Sequence, residues 1–168
     1  FVYLGETTSA ISKIPSRGLL PDGSVTALAR ALGKGHRLAM GTEDGRVIPV
    51  TIECTQDFQG NERSIVPSVT VGTPMVAAPT PQPITKIAYQ STDSDVRIAA
   101  LLQDQHLWLT TSRTASRPDG TVVASITQVD LTSSISGRVT AITLAGRAEL
   151  LAVGTEDGKV YHFDLREP

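Results

Sequence analysis

The feature that most constrains this chain is a ten-residue string that occurs twice. Leu38-Ala39-Met40-Gly41-Thr42-Glu43-Asp44-Gly45-Arg46-Val47 returns as Leu151-Ala152-Val153-Gly154-Thr155-Glu156-Asp157-Gly158-Lys159-Val160, differing only at Met40/Val153 and Arg46/Lys159. A repeated unit of this size cannot bury an apolar face alone and must stack against its neighbours. Upstream of each copy stands a second matching run, Val25-Thr26-Ala27-Leu28 and Val139-Thr140-Ala141-Ile142. A degenerate third copy lies between them. Ile84-Thr85-Lys86-Ile87 leads to Ile98-Ala99-Ala100-Leu101-Leu102, then Asp104-Gln105, then His106-Leu107-Trp108-Leu109, so the unit persists while the turn glycine is lost.

The chemistry of the unit reads as β-structure. Asp-Gly between two apolar runs signals a hairpin, and a two-residue type I′ loop needs positive φ at both central residues. Asp44-Gly45 and Asp157-Gly158 are therefore the structural turn residues. Alanine at Gly158 is expected to cost about 1 kcal/mol or more, and at Gly45 a similar amount. Leu38 to Thr42 should pair with Arg46 to Val50, and Leu150 to Thr155 with Lys159 to Asp164. The Val-Thr-Ala run supplies a third strand. Ser64 to Val71 supplies a fourth in the first repeat, and Thr121 to Val129, following the Pro118-Asp119-Gly120 turn, a fourth in the second. The stretch Ser24 to Gly33 also has the pattern of a short capped helix, but the β-branched Val139 to Ala145 favours a strand for both. Pro49 cannot donate to a ladder, which points to a bulge or an edge position. The run from Gly72 to Pro83 carries four prolines and reads as an extended connector.

Taken together, "Val-Thr-Ala … Leu-Leu-Ala-Val-Gly-Thr-Glu-Asp-Gly-Lys-Val-Tyr-His-Phe-Asp" resembles the repeats of WD-type β-propellers. Phe163-Asp164 stands where that family has Trp-Asp, while the first and second repeats carry Val50-Thr51 and Leu109-Thr110 there. The resemblance implies an all-β fold, a partial β-propeller of three antiparallel four-stranded blades. The parts are an N-terminal strand or connector over 1–23, blade 1 over 24–71, the Pro-rich connector over 72–83, blade 2 over 84–131, and blade 3 over 132–168, lacking its outer strand. Phe1 to Leu4 resembles Val160 to Phe163 and could be the tail of an earlier blade or could complete the last. Propellers close with about four to eight blades. Three leave open faces and edges, so association with another subunit, a second copy, or the rest of a longer polypeptide is expected.

Composition narrows the function classes. With 15 basic against 17 acidic residues the chain has neither the excess nor the stripe that phosphate contacts require, so nucleic acid is not an expected partner. No apolar run is long enough to span a bilayer. Cys54 is the only cysteine, which excludes an internal disulfide or a cysteine metal cage and suits the cytoplasm or a periplasm equally. His36, His106 and His162 follow no metal-ligand spacing, and neither a nucleophile elbow nor a phosphate loop is present. Asp93-Ser94-Asp95 lacks the glycine and distal glutamate of a calcium loop. Trp108 reads as a core or inter-blade residue. No catalytic, cofactor-binding or metal-binding residue is assigned, and no cofactor.

The resulting expectation is a non-catalytic binding or scaffolding segment that engages another protein or its own parent chain. The start at Phe1, the lone cysteine and the degenerate blades are also similar to the extracytoplasmic inserts of some bacterial phosphate ABC transporter permeases, which would place the chain in the periplasm. A piece of a propeller-borne hydrolase or lyase is the enzymatic alternative.

Overall fold

A computed structural model of the chain describes residues 2–3, 11–12, 24–31, 36–59, 62–92, 95–118, 120–145 and 148–166. Among these the fold is all-β and every strand pairing is antiparallel, with no α-helix and a single 3₁₀ turn at Thr132–Ser134. Strands β1 (Val2–Tyr3) and β2 (Ile11–Ser12) pair only with each other. The first large sheet runs β3 (Val25–Arg30), β4 (His36–Thr42), β5 (Arg46–Gln59), β6 (Glu62–Val71) in spatial order. The middle sheet holds β8 (Ile84–Ser91), β9 (Asp95–Leu102), β10 (Leu107–Ser116) and β11 (Val122–Asp130). The third holds β12 (Val139–Ala145), β13 (Leu150–Thr155) and β14 (Val160–Asp164). Among the described residues no sheet closes on itself.

One expectation needs correction in the first sheet. The Pro-rich connector is not merely extended, because β7 (Met75–Val76) within it pairs with Arg46 and Val47 of β5, giving this sheet a fifth strand. Pro49 sits at the expected irregularity: on its far side the partner strand gains one residue between the pairs Val50–Val71 and Val47–Met75, and neither β6 nor β7 pairs with Pro49 itself. It faces Ala39 across β4 in unbroken register, while its carbonyl accepts from Gly72 N–H at 2.8 Å on the opposite side. Its missing N–H therefore falls where β6 ends and β7 has not begun, and the ladder loses nothing.

The turns are also of another class than expected. Asp44 and Asp157 are not in the left-handed region. Only Gly45 (φ 78°) and Gly158 (φ 80°) are. Gly45 N–H donates to the Thr42 carbonyl at 3.2 Å, and Gly158 N–H to that of Thr155 at 3.1 Å. These are type I turns closed by one left-handed residue, the three-residue hairpin loop with a G1 bulge. Thr42 and Thr155 donate their hydroxyls to Asp44 and Asp157. The Arg46 guanidinium, hydrogen-bonded at 2.6 Å, is the main cause holding the Asp44 carboxyl below its ordinary range. The Lys159 ammonium, at 2.6 Å, does the same for Asp157 and brings it to about 2, with Thr155 second.

The middle sheet builds this same turn without glycine. Gln105 N–H donates to the Leu102 carbonyl at 3.1 Å, Leu102 N–H to that of His106 at 2.9 Å, and Gln105 takes φ 71°. Its Oε1 is buried without a hydrogen-bond partner among the described residues. Gln105→Gly should relieve left-handed strain of about 1–2 kcal/mol against an entropic penalty of about 0.5–1 kcal/mol. A net gain of about 1 kcal/mol in urea unfolding is therefore expected. An unchanged midpoint would show that the strain is absent.

A second device recurs three times. The first strand of each large sheet carries a bulge that leaves one threonine unpaired: Thr26, Thr85 and Thr140. Each donates its hydroxyl to a carbonyl of the next strand, of Gly41 at 3.2 Å, Leu101 at 3.1 Å and Gly154 at 3.2 Å. Ser24 to Gly33 is thus read correctly as strand where it is described, and the threonine of the Val-Thr-Ala run is the bulge residue. In register, Phe163-Asp164 matches Val50-Thr51 but corresponds to Thr110-Thr111 in the middle sheet, one residue beyond the expected Leu109-Thr110.

Packing follows the period-2 alternation of β-strands. On one face of the middle sheet, Ile87, Tyr89, Ile98, Ala100 and Leu102, joined by Trp108, pack on Ala39, Val47, Ala77 and Ala78 of the first sheet and connector. On the other face, Ala88, Ala99, Leu101, Leu107 and Leu109 pack on Leu144, Leu151, Val153, Tyr161 and Phe163 of the third. Covered on both faces, Arg97 to Leu102 of β9 is buried throughout. Each fully buried Ile or Leu, such as Ile98, Leu107 and Leu151, contributes about 1.5–3 kcal/mol of apolar transfer.

Candidate functional site

Three features of this stack can meet a partner. The first is a groove of about 370 Å³ where β3, β8 and β12 run side by side. It is lined by Ala27, Leu28, Thr85, Lys86, Ile87, Thr140, Ala141 and Ile142. Thr26 Oγ1 also lies 2.6 Å from the Ile84 carbonyl oxygen, where β3 meets β8. Among the described residues its lining carries one cation, Lys86, beside the hydroxyls of Thr85 and Thr140.

The second feature is a cleft built twice. Arg37 of β4 stands in register with Thr51 and Thr70, and Arg97 of β9 with Thr111 and Thr127. Each arginine crosses to the following sheet. Arg37 Nη1 donates to the Ser91 carbonyl at 3.3 Å, and Arg97 Nη1 to that of Ala148. Each row lines a cleft between neighbouring sheets, of about 480 Å³ at Arg37 and about 380 Å³ at Arg97. This pair of sites was missed in the sequence, although the signal was there: both arginines lie five residues before the first turn residue, Thr42 or Leu102. Leu150 at the same place in the third repeat obscures it.

The third feature is the outward face of the third sheet. Gly41 pairs with Val47, Leu101 with Leu107, and Gly154 with Val160, so these positions are equivalent. Val47 and Leu107 are both 0% exposed because the next sheet covers them, whereas Val160 is 62% exposed. Ala152, the equivalent of the fully buried Ala39 and Ala99, is likewise only half-buried. Among the described residues, the face that the first two sheets bury is left uncovered on the third.

Asp44, Gly45, Asp157 and Gly158 form the turns described above. His36, His106 and His162 are exposed on three different strands or loops, and His106 Nδ1 lies 3.0 Å from Asp130 Oδ2. The Thr132 hydroxyl and backbone N–H, with His106, hold Asp130 below the ordinary carboxylate range against the opposing effect of burial, the largest single influence on it. Cys54 is free and exposed. Asp93 and Ser94 lie outside the described residues, and no group of three or more metal-ligating side chains occurs among the described residues. No helix among them is long and apolar enough to cross a membrane.

No protein-family model matches this chain, and no curated protein matches it either.

Proposed function

We propose that this chain is a non-catalytic, propeller-like binding or scaffolding segment that engages another protein or the rest of its own polypeptide. The contact surface in this reading is the uncovered face of the third sheet. The observation that supports it is the contrast at equivalent positions: Val160 stands 62% exposed where Val47 and Leu107 are sealed. A repeat unit stacked on its neighbour buries this face, which here carries the exposed Val160 beside Gly154, Ala152 and Ala141, with Thr143 and His162 among them. Gly154, Ala152 and Ala141 keep it flat, as Gly41, Ala39 and Ala27 keep the corresponding face of the first sheet. An incoming sheet with large side chains, as Ile98, Leu102 and Trp108 provide at the first contact, complements such a surface.

Sedimentation equilibrium tests the reading. The isolated chain should self-associate with rising concentration, and Ala152→Arg should return it to a monomer with an unchanged melting temperature. The same substitution at the sealed Ala39 would bury an unpaired charge and unfold the protein. A chain monomeric at every concentration, or association indifferent to Ala152→Arg, would remove the support.

A further inference from the structure

The two arginine clefts share a plan but differ in charge. In the first, Glu53, two residues beyond Thr51 on β5, shares the lining with Arg37. The equivalent position in the second, two residues beyond Thr111 on β10, is Arg113. The second cleft is therefore lined by three guanidiniums, Arg97, Arg113 and Arg166, with one carboxylate, Asp164, and the hydroxyls of Thr111, Ser125 and Thr127.

Two of the three cations have counter-charges. Arg113 Nε donates to Asp95 Oδ1 at 3.0 Å, and Arg166 Nη2 lies 2.6 Å from Asp164 Oδ2. Arg97 does not. It is 9% exposed, its Nη1 donates to the Ala148 carbonyl, and no carboxylate is in ion-pair reach of it among the described residues. A guanidinium carries five N–H donors and is costly to withdraw from water without a counter-ion. Arg97 is also one of the residues lining the space of about 380 Å³.

We propose that this cleft binds a carboxylate, held by the Arg97 guanidinium with hydroxyl donors from Thr111 and Thr127. The planar guanidinium fork matches the two oxygens of a carboxylate. The charge balance disfavours a phosphate group near −2: Arg113 and Arg166 are paired with Asp95 and Asp164, and Glu149 also acts on Arg166, so the cleft holds no excess of positive charge for a dianion. The carboxylate has two natural sources. One is a small free acid. The other is an Asp or Glu side chain of a polypeptide lying along β14, whose only strand partner among the described residues is β13. This assignment stands on the cleft alone and does not require the third-sheet face to be a docking surface.

The test is a nuclear magnetic resonance titration of the full chain, observing the Arg97 Nε–H and the Thr111 and Thr127 amides. Sodium acetate and a glutamate blocked at both ends (N-acetyl, N-methylamide) are the probes, with sodium chloride and sodium phosphate at matched ionic strength as controls. Saturable shifts with acetate and the blocked glutamate, absent with chloride and weaker with phosphate, are expected. Equal binding of the two probes marks a free acid. Tighter binding of blocked glutamate, with additional shifts in the β14 amides, marks a polypeptide. The shifts should vanish in Arg97→Met, which keeps the apolar stem and removes an unpaired buried charge. They should weaken several-fold in Thr127→Val, a near-isosteric change on an exposed edge strand that decides the matter if Arg97→Met does not fold. No saturable shift, an equal response to chloride, tighter binding of phosphate, or full binding by either variant would overturn the proposal.

Discussion

Adding one methyl group at Gly41 is expected to destabilise the protein by about 1–3 kcal/mol. The same change at Gly154 should be neutral or gain up to about 0.5–1 kcal/mol. The two glycines hold equivalent places in the repeated string and neither needs a positive φ, so the difference comes from what lies above them. A Cβ on Gly41 would stand 2.8 Å from Ile84 Cγ2, 3.0 Å from Ile84 Cβ and 3.3 Å from Ala27 Cβ. Ile84 is fully buried and β-branched, and cannot swing away. A Cβ on Gly154 would meet only Ala141 Cβ, at 3.6 Å. Urea midpoints for Gly41→Ala and Gly154→Ala read this directly. Equal losses would mean that the third sheet is covered as the first is, and would remove the basis for an open face.

How much of this was legible in the sequence varies by residue, for physical reasons. The strand–turn–strand unit could be read because Asp-Gly, the β-branched run before it and the string length all agree, and local signals that agree specify local structure. The class of turn could not. An Asp-Gly pair suits both a two-residue loop with two left-handed residues and a three-residue loop with one, and what decides is that the Thr42 carbonyl accepts from Gly45. The third copy was recognised by offset alone, and Gln105 shows why composition failed: the neighbouring strands hold a non-glycine residue at φ 71°. The arginine clefts were opaque because each needs two sheets. Nothing near Arg97 in sequence announces that Ala148 will receive its guanidinium. The face left open on the third sheet is equally invisible in a single copy, since Leu-Ala-Val-Gly-Thr reads alike whether or not another sheet covers it.

The connector makes the last difference between the copies, at the turn glycines themselves. Read from sequence, Gly45→Ala and Gly158→Ala should cost about the same, because alanine at a left-handed position is strained by about 1–2 kcal/mol. The structure separates them. Gly158 has φ 80° and a Cβ there would meet nothing within 4 Å, so Gly158→Ala should show the conformational strain alone. At Gly45 a Cβ would stand 2.9 Å from the Gln82 carbonyl oxygen, 3.0 Å from Gln82 N and 3.4 Å from Pro81 Cα. These are backbone atoms of the Pro-rich segment, which also bonds the turn through Ala77 N–H to the Gly45 carbonyl at 3.0 Å. Prolines at 81 and 83 limit how far that segment can retreat. Overpacking of about 1–3 kcal/mol therefore adds to the strain, and Gly45→Ala should cost about 2–5 kcal/mol in total. Chemical denaturation of the two variants measures the gap. Equal losses would show that residues 81–82 do not rest on the first turn, and that the connector binds the first sheet through β7 alone.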